Sequence, residues 1–115
     1  MDRPGSWLGL ARAAGRLALG HWQCRRALAM GRARLVVVAR DSSQGARRRW
    51  QHLARRANCP VVTWGSQAEL GHAVGSGPKA VVAFLDDGLA AQFLKAVGPA
   101  ARPPGPPGAG RGDEP

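Results

Sequence analysis

Leu35, Val36, Val37, Val38 and Ala39 stand in a row with no polar residue between them. A strand with one face in water would carry a polar side chain at every second position, so this run reads as a strand buried on both faces. Such a sheet must be covered by helices on each side, which fixes a three-layer architecture.

The rest of the chain supplies the other parts. Ser6 is a plausible N-cap for a first helix with the stripe Trp7, Leu10, Ala11 and Ala14, and Gly15 stops it. Leu17 to Leu19 suits a short strand. Gly20 opens a second helix, with Cys24, Ala27, Leu28 and Met30 on its apolar side, ending before Gly31. Asp41, Ser42 and Ser43 supply caps for a third helix with the stripe Ala46, Trp50, Leu53, Ala54 and Ala57, closed by Asn58 and Pro60. Val61 to Trp64 reads as a strand. Ser66 and Glu69 spell a capping box for a fourth helix through Leu70, Ala73 and Val74. Ala80 to Leu85 is the last strand, and Asp86 and Asp87 cap a fifth helix with Leu89, Ala90, Phe93, Leu94 and Val97 on one side. The expectation is an α/β fold: a three-layer α/β/α sandwich with a small four-stranded mixed sheet and about five helices. Residues 1–97 form the domain. Residues 98–115 are rich in Pro and Gly without an apolar face, a composition that favours a disordered tail.

Charge narrows the function. The formal net charge of the 115 residues is +10, and 13 of the arginines fall before Val61, opposed there only by Asp2 and Asp41. Such asymmetry points to a polyanion met by the first half of the chain, because neutralised phosphates release condensed counterions. No apolar stretch approaches the roughly 20 residues of a membrane span, and Arg12 and Arg16 interrupt any leader-like run, so a soluble cytoplasmic protein is expected. Cys24 and Cys59 lack the spacing of a metal site and are expected to be reduced and buried. His21, His52 and His72 are scattered, and Asp86 and Asp87 are explained by capping, so no catalytic group, metal or other cofactor is expected.

Three strings resemble the ribosomal L7Ae family: LGLARAAGRLALG at Leu8 to Gly20, RARLVVVARDSS at Arg32 to Ser43, and ELGHAVGSGPKAVVAF at Glu69 to Phe84. With the spacing between them they cover about residues 7–97, and the resemblance is nearest to small bacterial relatives. It implies recognition of a kink-turn, a sharply bent RNA helix. In the family a Gly at the start of the second helix is followed by Asn and Glu, then by a basic residue three positions on. Here Gly20 matches, and Arg26 stands at the basic position, where it can hold a phosphate or a guanine edge. Trp22 replaces the Asn and Gln23 the Glu. Trp22 reads either as a stacking platform for unpaired bases or as a core residue beneath the first helix.

The resemblance also implies RNA contacts from the loop between the fourth helix and the last strand, here Val74, Gly75, Ser76, Gly77, Pro78 and Lys79, and from Arg40, which stands where the family carries an acidic residue. The site expected from all this is Gly20, His21, Trp22, Gln23, Arg26, Arg40, Val74, Gly75, Ser76, Gly77 and Lys79. Its partner would be structured, ribosomal RNA, bound by a monomer without catalysis and with no small-molecule substrate. Arg47, Arg48 and Arg49 read as a solvated face, with a secondary RNA contact as the lesser reading. Two other classes stay open: a protein-interaction module offering Trp22 and Trp64, and the RNA-binding half of a ribose methyltransferase whose catalytic part is another chain.

Overall fold

The computed structural model describes residues 3–98. Five helices alternate with four strands in the order α1 (Pro4–Ala13), β1 (Leu17–Leu19), α2 (Gly20–Ala29), β2 (Leu35–Val38), α3 (Gln44–Arg56), β3 (Val61–Thr63), α4 (Gln67–Ala73), β4 (Val81–Phe84) and α5 (Asp87–Val97). The expected α/β sandwich is therefore present, around one mixed sheet of order β1-β4-β2-β3. β2 runs parallel to β3 and antiparallel to β4, which is in turn antiparallel to β1. The tail from residue 99 lies outside the described residues.

All four residues of β2 and of β4 are buried, as a strand covered on both faces requires. Alternate side chains then feed two separate cores. Leu35, Val37, Val82 and Phe84 point toward α1, α4 and α5, where Leu8, Leu70 and Phe93 meet them. The Phe84 and Phe93 rings lie 5.2 Å apart, and Trp64 packs edge-on against Phe93 at 5.8 Å. Val36, Val38, Val81 and Ala83 point the other way, toward Cys24 and Leu28 of α2 and Trp50 and Ala54 of α3.

Local chemistry sets the boundaries. Ser43 caps α3 by accepting from the Ala46 amide at 3.1 Å, and Asp86 caps α5 by accepting from the Leu89 amide at 2.9 Å. Ser66 and Glu69 complete the reciprocal capping box of α4. Each such cap is worth about 1 kcal/mol. Four expectations need correction. In the stripe of the first helix Leu10 and Ala14 are exposed, and Leu8 joins Ala11 on the buried side. The first helix begins at Pro4 with Arg3 as N-cap, so Ser6 lies inside it; a proline without an N–H loses nothing in the first turn. Met30 is 55% exposed and falls past the end of α2, outside its apolar side. Ala57 is likewise exposed at the C-cap of α3, beyond the buried Trp50 and Ala54.

Candidate nucleic-acid interface

The sheet register brings distant segments to one end of the molecule. Leu19 pairs with Val82, Val38 pairs with both Val81 and Thr63, and the Ala39 amide donates to the Ala80 carbonyl at 2.8 Å. The last residues of β1, β2 and β3 and the first of β4 therefore lie together. Onto this end open the start of α2, the turn that begins at Arg40, and the loop from Val74 to Lys79.

Gly20 makes the junction between β1 and α2 with φ of +82°, a left-handed conformation that costs any residue with a Cβ about 1 kcal/mol or more. Nothing lies within 4 Å of where its Cβ would stand, so the backbone here is open to a ligand. Ser43, Ser66 and Asp86 cap the starts of α3, α4 and α5, whereas Leu19, the N-cap of α2, supplies no side-chain acceptor. First-turn amides without an internal acceptor, at the positive end of a helix, attract a phosphate.

The side chains of α2 divide by direction. Cys24, Ala27 and Leu28 are buried, so Trp22 and Arg26, one turn apart, share the opposite, exposed face. Trp22 is 84% exposed, which removes the reading of it as a core residue. Gln23 accepts the Leu19 amide proton through Oε1 at 2.9 Å. That bond fixes the carboxamide orientation and leaves Nε2 as its free donor. His21 turns toward α3, where its ring meets Trp50 edge-on at 5.3 Å. Arg26 sits set back along the helix, beside Gln23, Met30 and Arg32 in a shallow groove of about 170 Å³.

The loop after α4 is held from below. Val74 is buried, and its carbonyl accepts from Arg12 Nη1 of α1. Gly75 has φ of +69°, and the Ser76 amide returns to the Gly71 carbonyl at 2.8 Å. Gly71 has no room for a side chain, since a Cβ there would stand 2.1 Å from the Gly77 carbonyl oxygen. The result is a loop folded tightly over α4, with Gly75, Ser76 and Gly77 exposed and Lys79 half-buried, its amide donating to Gln67 at 3.0 Å. Sequence reading missed Arg12 and Gly71. A glycine inside a capped helix is costly relative to alanine, and that cost was the available signal.

Arg40 follows β2 with its side chain 3.8 Å from the Glu69 carboxylate, both groups more than half exposed. Beside it, Asp41 accepts the Gln67 amide proton at 2.9 Å. The edge toward α4 is thus partly neutralised, and the edge toward α2 is not. Of the residues expected at the site, the structure gathers Gly20, Trp22, Gln23, Arg40 and Gly75 to Lys79 at one end. Arg26 flanks them, His21 is turned onto α3, and Val74 belongs to the framework. Among the described residues no group of three His, Cys, Asp or Glu could hold a metal ion. Both cysteines are free and buried, with burial pushing the Cys24 thiol up to about 12 and the Cys59 thiol up to about 11. No described helix is long and apolar enough to cross a membrane.

This frame, a mixed sheet with helices on both faces, has known counterparts. The chain belongs to the Ribosomal protein L7Ae/L30e/S12e/Gadd45 family, whose model matches residues 5–94. A solved structure from Bacillus halodurans, described as a protein with unknown function, is similar with a TM-score of 0.79 at 25% identity. That match covers 84% of this chain and 98% of the other. The Giardia lamblia 15.5 kD RNA binding protein is similar in fold, with a TM-score of 0.67 at 19% identity over 81% of this chain and 80% of that one. No curated protein matches the sequence.

Proposed function

We propose that this protein binds structured RNA, kinked or internally looped and ribosomal in origin, through the end of the sheet where α2 begins, and that it acts by binding and not by catalysis. The observation that carries this reading is the exposed Trp22 beside the uncapped, glycine-led start of α2, with Arg26 one turn along and the glycine loop opening on the same end. Backbone amides and arginines can take phosphates, and an indole standing clear of the surface can take an unstacked base. Such stacking is worth about 1 to 3 kcal/mol per base. RNA shape and phosphate contacts would supply most of the affinity. The fold shared with an RNA-binding protein supports the same reading.

Trp64, by contrast, is engaged with Phe93, so an interaction module would have Trp22 alone of the two tryptophans that sequence suggested. The test is gel-shift titration with a kink-turn RNA, the same RNA with its kink mutated, and a plain duplex, across a range of salt. The kink-turn is expected to bind at least tenfold more tightly than the plain duplex, and Arg26→Ala to weaken it. Equal, weak binding of all three RNAs would turn the reading toward a protein-interaction module.

A further inference from the structure

The start of α2 accounts for only part of the positive charge. Arg48, Arg49, His52, Arg55 and Arg56 are all exposed along α3, while Trp50 and Ala54 of the same helix are buried. At about 100° per residue those five side chains fill one arc opposite the buried stripe. Arg48 and Arg55 form one row of it and Arg49 and Arg56 another, each about 10 Å long at 1.5 Å rise per residue. Arg25 extends the patch from α2. With Arg56, Leu28 and Leu53 it lines an open groove of about 460 Å³ between the two helices.

None of these arginines has a carboxylate within 4.0 Å among the described residues, where the ion pairs are Arg34 with Asp87 and Arg40 with Glu69. Like charges at helical spacing repel one another, and only an outside anion relieves them. The anion can be narrowed further. Among the described residues the exposed large apolar side chains are Leu10, Trp22 and Met30, none of them on α3, so this helix has no apolar face to sink into a bilayer. Guanidinium forks match phosphate oxygens two at a time.

We propose that the α2–α3 face is a second nucleic-acid site, which takes the sugar-phosphate backbone of an RNA duplex without reading its sequence. It is distinct from the site at the start of α2, so one chain can hold a bent junction at the sheet end and a neighbouring duplex along its side. The proposal does not rest on the kinked-RNA reading, and either can fail alone.

The test uses the full chain with Arg48, Arg49, Arg55 and Arg56 all changed to Gln, which keeps helix propensity and removes charge. Fluorescence anisotropy follows a labelled plain RNA duplex between about 50 and 200 mM salt. Affinity for the duplex is expected to fall at least tenfold at the lower salt. The slope of log affinity against log salt should shrink by about 3 to 4, close to one for each lost phosphate contact. The affinity for a minimal kink-turn RNA, which belongs to the other site, should stay as in the parent, so the preference for it over the duplex should widen. A second variant with only Arg48 and Arg49 changed should lose about half as much slope, so the outcome does not depend on the folding of one protein. Unchanged duplex affinity and slope in a variant with the parent's melting temperature would overturn the proposal. So would tight binding of phosphatidylserine vesicles, abolished by the same substitutions, in a protein that ignores the duplex.

Discussion

The two helical layers that sandwich the sheet are built alike and charged differently. Each buries an aromatic against the sheet, Phe93 on one side and Trp50 on the other, and each closes a largely aliphatic core. On the surface the likeness ends. The layer of α1, α4 and α5 balances Arg12 and Lys95 against Glu69 and Asp87, whereas α2 and α3 carry arginines at 25, 26, 47, 48, 49, 55 and 56 and no carboxylate. Packing needs two layers; it does not need them to differ in charge. That difference in charge is the ground on which the α2–α3 side and the adjoining sheet end are proposed as the surfaces that meet RNA.

If that division is right, the two layers should respond in opposite ways to substitution. The largest effect is expected from Phe93→Ala, which empties the balanced layer of a fully buried ring touching both Phe84 and Trp64. A loss of about 3 to 5 kcal/mol should appear in urea unfolding, and at temperatures where the variant stays folded its RNA affinity should match the parent's. A comparable collapse is expected of Gly71→Val, whose Cβ cannot coexist with the Gly77 carbonyl. Here a drop in melting temperature of more than about 10 °C should accompany loss of the ordered loop, since about 1 kcal/mol moves a domain of this size by about 4 to 8 °C.

Trp22→Ala is the converse. The indole is 84% exposed, so stability should move by no more than about 0.5 kcal/mol while affinity for kinked RNA falls by about 5- to 150-fold, the equivalent of about 1 to 3 kcal/mol of stacking. A Trp22 variant that melted early but bound normally would erase the division between the layers.

Alkaline titration sharpens the comparison further, because both cysteines lie in the α2–α3 core. Their folded pKa values, about 12 and about 11, stand above the ordinary 9.0, so the stability they contribute is present below pH 9. It is lost as pH rises from there toward 11 and 12, where the unfolded chain has released thiol protons that the folded chain still holds. The slope can reach about 1.4 kcal/mol per pH unit for each thiol. With no tyrosine and only two lysines in the chain, few other side chains titrate in that window. Chemical denaturation of the parent and of Cys24→Ala between pH 8 and about 11 should show the parent falling faster; parallel curves would mean the thiol is not enclosed.

Much of this frame was legible in the sequence because it is written locally. The stripe of α5 and the capping box of α4 each lie within a few residues, and the uninterrupted run of β2 announced a sheet covered on both faces. The strand order was not legible, since pairing β1 with β4 joins segments more than 60 residues apart on no local signal. At the site, Gly20 could be read because it matches the glycine that the resemblance places at the start of the second helix, and its positive φ gives the physical reason for that residue. The direction of Trp22 could not, because an indole suits a core or a binding surface equally and only the packing of Cys24, Ala27 and Leu28 decides which way it points. His21 shows the same limit: one position from Trp22, it faces α3 instead. The Arg12 bond to the Val74 carbonyl, spanning 62 residues, has no sequence signature at all.

The most direct test of where RNA sits is to follow every backbone amide by NMR while kink-turn RNA is added to the folded protein. The largest changes should fall on Gly20 to Arg26, on Arg40 and on Gly75 to Lys79, with α5 silent. Changes concentrated on α1 and α5, with the start of α2 unmoved, would contradict the account.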